Sequence, residues 1–275
     1  IPLRVFSMDE QGNRREEEAP SFAIKGLSGQ VGDDQIFHAG ESSRVEAGTI
    51  TATVGELSVA ARMRTLPLLP YREDFETLPE GLPPPGWISS KLKCQVSQTE
   101  EGKILRKLAD RPAPPFARLR CYMLPPIDIG YTVSADILGV SKKNRFIPDM
   151  GLINSRYLLI LTGTTERTRK LRLVSWAPIP RIQKEVEFPW DPDTWYVVKL
   201  SVDQLEGSDG GQGLIRGKVW SRGEPEPHTW SIEMVDPSPN PRGSPGLYAY
   251  SVSITSKSKG TEVLFDNVEI IRNAD

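Results

Sequence analysis

The sequence predicts an all-β protein made of two sandwiches, and three observations carry the prediction. Proline and glycine punctuate the chain, at 24 and 23 of 275 residues, with proline well above its usual share of about 5%. Short runs with apolar side chains at every second position recur from end to end, the period of a half-buried strand. Helical apolar spacing shows in one place, residues 100–110, where Ile104, Leu105 and Leu108 fit a stripe. Gly102 inside that segment favours a hairpin instead.

Residues 1–66 read as a small all-β unit. A strand over 3–8 ends in a turn cluster holding Asp9, Gly12 and Asn13, and a second short strand spans 21–25. The clearest hairpin joins 48–54 to 57–63 through Gly55 and Glu56. Ile50, Ala52 and Val54 alternate there with Thr49, Thr51 and Thr53, and Gly55 can supply the positive φ of a two-residue turn. Pro67 and Pro70 make 67–70 a stiff junction, because proline fixes φ and extends its predecessor. Residues 71–275 carry strand candidates at 103–108, 117–123, 131–138, 150–153, 157–162, 170–174, 195–202, 214–220, 229–232, 246–252 and 262–272. In 195–202, Tyr196, Val198, Leu200 and Val202 share the face suited to a core. Trp195, Val197, Lys199 and Ser201 share the other. One apolar face per sheet must meet another, so such strands stack as a sandwich.

Two resemblances sharpen this reading. The stretches DEQGN, SFAIKG and AGTITATVGELSVAARMRT, within residues 1–66, resemble a bacterial immunoglobulin-like domain, with Phe22 where a tryptophan often stands. The stretches YREDFETLPEGLPPPGW, PDTWYVVKLSV, GSPGLYAYSVSIT and VLFDNVEIIR, within 71–275, resemble a concanavalin A-like lectin/glucanase jelly-roll sandwich of the laminin-G kind. Together the pair is similar to the C-terminal part of bacterial quinoprotein-type β-propeller repeat proteins. The resemblance implies a periplasmic, cell-surface or secreted location and no single shared activity. The chain begins at Ile1 without a charged-then-apolar leader, which fits a fragment or a processed protein.

Charge and hydropathy exclude some classes. Thirty-four Lys plus Arg against 36 Asp plus Glu leave a net charge of −2, which argues against nucleic-acid binding. The longest aliphatic run, 157–161, is far below the ~20 residues of a membrane helix. Cys94 and Cys121 lie in separate strand-like runs, and a disulfide between them needs those strands side by side. Two cysteines and two distant histidines, His38 and His228, argue against structural zinc.

The familiar catalytic patterns do not match. Glycoside hydrolysis needs two carboxylates about 5–10 Å apart, and no Glu-x-Asp-x-Glu strand occurs. Glu185 with Glu187, and Glu224 with Glu226, read as solvated surface acids. No Gly-x-Ser-x-Gly elbow is present, and the Gly211–Gly213–Gly217 spacing leads into a strand rather than a helix. A structural Ca²⁺ site is the sharper idea. If the first and last strands of the larger unit are neighbours, Asp74, Glu76 and Asp266 come together as hard oxygen donors. The competing reading is that Asp74 and Asp266 cap turns or pair with Arg72 and Arg272. For ligand contact the candidates are Arg145, Asp149, Asn154 and Arg156 around a central hairpin, Trp176 and Trp220 at strand ends, and Tyr248 and Tyr250 on one strand face. Aromatic rings meet sugar C–H faces while planar polar groups meet hydroxyls; large aromatics also pack, as Trp87, Trp190 and Trp195 are expected to do.

Three functions fit. The leading one is a non-catalytic module of a larger exported bacterial protein that binds carbohydrate or docks another domain of its parent. The second is a hydrolase acting on a glycoside or keto-sugar, a fold-level analogy. The third is a purely structural assembly module.

Overall fold

The computed structural model describes residues 1–17, 19–111, 114–175, 180–205 and 211–273. The chain divides into two compact units, Ile1–Leu68 and Leu69–Asp275.

The first unit is all β. Strands β1 (Phe6–Met8) and β2 (Arg14–Glu16) form a ribbon. Their turn is held by the Asp9 carboxylate, which accepts from the amides of Gln11 and Asn13 and from Asn13 Nδ2. Strands β3 (Ser21–Lys25), β6 (Glu46–Val54) and β7 (Leu57–Thr65) make a three-stranded sheet, and β4 (Gly29–Val31) pairs with β5 (Phe37–Ala39). The β6–β7 turn falls on Gly55 and Glu56, with Gly55 at φ 59°. Ile50 and Ala52 are buried as the alternation predicts.

The second unit begins with β8 (Tyr71–Glu73), the β9–β10 hairpin (Cys94–Thr99, Gly102–Lys107), a helical turn α1 (Pro114–Ala117), β11 (Arg118–Tyr122) and β12 (Ile127–Asp128). It continues with β13 (Tyr131–Val140), β14 (Asp149–Asn154), β15 (Tyr157–Leu161), β16 (Lys170–Ser175) and β17 (Gln183–Glu187). It ends with β18 (Trp195–Leu205), β19 (Gln212–Ser221), β20 (Ile232–Asp236), β21 (Arg242–Gly243), β22 (Gly246–Tyr250) and β23 (Glu262–Arg272). The ambiguous 100–110 segment is a hairpin arm, as Gly102 suggested; its φ is 129°.

Two antiparallel sheets form the sandwich. One runs β20-β19-β18-β13-β23-β10-β9, with β8 also on β23, and the other runs β11-β22-β14-β15-β16-β17. β14 packs on β13 and β18. The inner faces meet through Val133, Ile137, Val198, Leu200, Val202, Ile215, Phe265 and Ile270 on one side. Leu119, Met150, Leu152, Leu159, Leu161, Leu171, Leu173 and Leu247 face them, and all are fully buried. Burial of each such side chain stabilises the fold by about 1.5–3 kcal/mol. Polar groups stitch the sheets together. Asn154 Nδ2 donates to the carbonyls of Tyr131 and Leu200, and Tyr131 Oη donates to the Gly243 carbonyl.

One local expectation needs correction, and one open question is answered. The strand expected at 229–232 lies at Ile232–Asp236, because residues 222–231 cross the outer face of the sheet before pairing resumes at Gly217↔Ile232. Cys94 and Cys121 are both buried free thiols. They lie on β9 and β11, strands of different sheets, rather than on neighbouring strands. Burial pushes the Cys121 thiol well up, and the neighbouring Cys94 pushes it further.

Candidate functional site on the six-stranded sheet

Strand alternation places a polar and aromatic surface on the outer face of the six-stranded sheet. β11 contributes Arg118, Arg120 and Tyr122, and β22 contributes Tyr248 and Tyr250. The register sets Arg118 beside Tyr250 and Arg120 beside Tyr248. One strand further, Tyr250 adjoins Asp149 and Tyr248 adjoins Gly151. The odd positions of these two strands, Leu119, Cys121, Leu247 and Ala249, point into the core.

The electrostatics of this face follow from partial burial. Asp149 is 7% exposed; its Oδ1 accepts from the Gly163 amide at 2.8 Å and from Thr165 Oγ1 at 2.6 Å. Burial nevertheless pushes this carboxyl above the usual range. Burial also raises the Tyr248 phenol, and the Asp149 charge raises it further. The Arg120 guanidinium is pulled down by burial and then by Arg118. Arg118 lies 5.4 Å from the Tyr250 ring centroid, a cation–π contact. Towards the middle of the sheet the same face turns apolar. Ile153, Leu158, Ile160 and Val174 cluster with Tyr248, and Tyr122 and Tyr250 pack against them.

The far side of the face is closed by mutually satisfied charges. Lys170 bridges to Glu185 at 2.7 Å, and Arg172 bridges to both Glu185 and Glu166. The hydrogen bond from Lys170 is the main cause that holds the Glu185 carboxyl below its usual range. Glu185 is therefore half-buried and ion-paired, not the solvated surface acid expected. Beyond it lies a cleft of about 480 Å³ lined by Arg145, Gly163, Glu166, Arg169 and Glu187 among others.

The structure brings some of the sequence-derived candidates together and disperses the rest. Asp149, Tyr248 and Tyr250 are neighbours on the outer face. Arg156 sits in the β14–β15 turn at φ 68°, close enough to oppose the upward shift of Tyr122. Arg145 lies in the β13–β14 loop, over Phe146. Asn154 points the other way, fully buried between the sheets, with no surface to offer a ligand. Trp220 is on β19, in the opposite sheet, with Lys199 Nζ 5.7 Å from its ring. Trp176 lies outside the described residues. Sequence reasoning missed Arg118, Arg120 and Tyr122. Their signal was present: the three alternate with Leu119 and Cys121, a polar face on a strand whose other face is apolar.

The cation site takes a different form. β8 does pair with β23, Glu73 opposite Val268 and Arg72 opposite Glu269, so the first and last strands are neighbours. Asp266, however, faces Asp136 across β13. Arg222 reaches both carboxylates, at 3.2 Å and 3.6 Å, from a seat 5.2 Å over the Trp195 ring. Burial raises the Asp266 carboxyl, and the charges of Asp136 and Glu76 raise it further. Asp74 accepts from the Glu76 amide, and Glu76 Oε1 accepts from the Lys103 amide. Among the described residues no three acidic, histidine or cysteine side chains converge as a metal set. A guanidinium stands against the carboxylates where Ca²⁺ would need them, so this donor set does not fit the ion.

No protein-family model matches the chain, and no curated protein matches it. Solved structures similar to it include a carbohydrate binding module of Bacillus subtilis, at 17% identity over 68% of this chain and 95% of that one, with TM-score 0.41. The carbohydrate recognition domain of Emp47p is 11% identical over 73% and 94%, with TM-score 0.47. A putative beta-glucanase of Mycobacterium abscessus is 14% identical over 73% and 98%, with TM-score 0.43. Likenesses this distant say nothing of what this chain binds.

Proposed function

We propose that the larger unit is a non-catalytic glycan-binding module of an exported bacterial protein, with the first unit as an immunoglobulin-like spacer. Its ligand is an acidic polysaccharide laid across the outer face of the six-stranded sheet. The observation that carries this reading is the register of Arg118 and Arg120 beside Tyr250 and Tyr248. The half-buried Tyr250 ring offers flat apolar area to sugar C–H faces, and guanidinium groups match carboxylate or sulfate oxygens. Arg118 and Arg156 have no carboxylate partner within ion-pair distance among the described residues, so the face keeps positive charge for a ligand. Hydrolysis is disfavoured. Asp149 is the lone carboxylate on this face of β14, β15 and β22, and Glu185 is tied to Lys170 and Arg172, unsuited to donate a proton.

Calorimetry with polygalacturonate, alginate and chondroitin sulfate, against neutral dextran, tests the proposal. Binding to at least one acidic polymer is expected, weakening as salt screens the arginines. Arg118→Ala should reduce affinity by roughly 5–50-fold. Equal affinity for dextran, or an unchanged affinity in Arg118→Ala, would remove the acidic-glycan reading, and release of reducing ends would remove the non-catalytic one. The half-buried aromatic pair Tyr122 and Tyr250 favours a second reading, docking of another domain of the parent protein. Co-expression with that domain and co-purification through a Tyr250-dependent contact would be its signature.

A further inference from the structure

The outer face of the opposite sheet carries a cleft of about 930 Å³ that the acidic-glycan reading does not use. Its floor is the row Thr132, Ser201 and Arg216 on β13, β18 and β19. One wall is Trp230, half-buried in the loop that leads into β20. The polar groups are held in place by one another. Asn273 accepts from Thr132 Oγ1 at 2.6 Å and donates to Ser201 Oγ at 3.2 Å and to Asp203 Oδ1. Asp203 Oδ2 takes Arg216 Nη2 at 2.8 Å. Glu226 takes Lys199 at 2.6 Å and Lys218 at 3.0 Å. The Trp230 ring is oriented by cations, with Arg216 at 4.8 Å and Lys218 at 4.7 Å. Arg216 Nε is shielded from water and has no acceptor among the described residues, so a hydrogen-bond donor beside this cleft is left unused.

We propose that this cleft is a second, independent ligand site and that it takes a neutral oligosaccharide. Its size and shape suit a few sugar rings. The indole gives one apolar wall for a sugar C–H face. Asp203, Glu226 and Asn273 present fixed acceptors for hydroxyls, while Lys199 presents donors. Its cations, unlike Arg118, stand against carboxylates. Arg216 pairs with Asp203, Lys199 and Lys218 share Glu226, and Arg272 at its edge donates to the Asp128 carbonyl. An acidic ligand would meet Asp203 and Glu226, whereas a polyhydroxylated neutral one meets donors and acceptors together.

The test is a fluorine NMR titration of the full chain labelled with 5-fluorotryptophan, with the Trp230 resonance identified by its loss in Trp230→Phe. The probes are laminarihexaose, cellohexaose, xylohexaose and mannohexaose, with hexagalacturonate as the acidic control. At least one neutral hexamer should shift the Trp230 resonance saturably, and it should do so equally in Tyr248→Ala. By calorimetry Trp230→Ala should weaken that hexamer by roughly tenfold or more, with the other tryptophan resonances reporting that the fold is kept. If that variant unfolds, Asn273→Ala serves in its place, with an affinity loss of several-fold expected. The proposal is overturned if none of the four hexamers moves Trp230, if the shift disappears in Tyr248→Ala, or if hexagalacturonate binds here as tightly. Loss of acidic-polymer binding with the Trp230 response intact would overturn the proposed function and leave this site standing.

Discussion

Asp149 and Asp236 are both buried, yet their carboxyls shift in opposite directions because their partners differ. Asp236 is 0% exposed. Burial opposes its charge, but hydrogen bonds from Arg181 and Tyr157, each at 2.6 Å, hold it below the usual range. Burial also lifts the Tyr157 phenol, to about 12, so it stays a donor. Asp149 has backbone and hydroxyl donors but no guanidinium on its carboxylate, and burial raises it. The linkage signs follow. Asp236, depressed in the folded state, contributes stability that is present above the unfolded value of about 3.9 and lost as pH falls through its lower folded value. Asp149, raised in the folded state, costs stability once pH climbs through the unfolded value towards its folded one. Asp236→Asn should therefore destabilise by about 3 kcal/mol at neutral pH, leaving Arg181 without its counter-charge. Asp149→Asn keeps an acceptor for Gly163 and Thr165 and should be neutral or mildly stabilising at pH 7. Urea denaturation at pH 4 and pH 7 checks both; an Asp149→Asn gain that is larger at pH 4 would contradict the assigned direction.

At the scale of strands, what could be read from the residues was parity, and what could not was partnership. The alternation in 195–202 named Tyr196, Val198, Leu200 and Val202 as the core face, and all four are buried. Strand 262–272 was bounded correctly, and the Gly55 turn sits where the hairpin pattern put it. The same parity rule separates Asp149 from Asn154: five residues apart on one strand, they point to opposite faces, and only Asp149 is on the outer one. Grouping them as one site overlooked this. Trp220 parts from Tyr248 for another reason. Period-two patterning says which face a side chain takes, but not which sheet its strand joins, and β19 joins the sheet opposite Tyr248. Two glycines show how packing and backbone demands differ. A Cβ on Gly217 would lie 2.5 Å from Leu159 Cδ1 and 2.9 Å from Ile232 Cγ2, inside the sandwich. A Cβ on Gly55 would meet nothing, but its φ of 59° is left-handed. Gly217→Ala should cost about 1–3 kcal/mol through overpacking, and Gly55→Ala about 1 kcal/mol through backbone strain. Gly55→Asn should recover most of the second loss, since asparagine tolerates that region, whereas no small polar residue should rescue Gly217. Chemical denaturation of these three variants and of Gly217→Ser distinguishes the two causes.

Across the whole chain the apolar core is divided unequally. The first unit contributes Phe37, Val45, Ile50 and Ala52 to the buried apolar set, while Leu57 at 75% and Val59 at 61% remain exposed on β7. Its hydrogen bonding is spread over one three-stranded sheet and two ribbons, and two-stranded ribbons are marginal by themselves in water. The second unit holds the remaining buried apolar residues, in two extensively paired sheets with polar cross-links between them. Conformational entropy is lost at a similar rate per residue in both units, so the unit with less burial per residue must be the less stable. Residues 69–275 expressed alone should fold cooperatively, with dispersed amide resonances and slow hydrogen exchange at Leu159, Leu161, Val198 and Leu200. Residues 1–68 alone should be marginal, with exchange fast throughout except near Ile50 and Ala52. In the intact chain, calorimetry should then show the first unit melting at or below the temperature of the second. A 1–68 fragment more resistant to denaturant than 69–275 would mean that burial does not set the order of stability here.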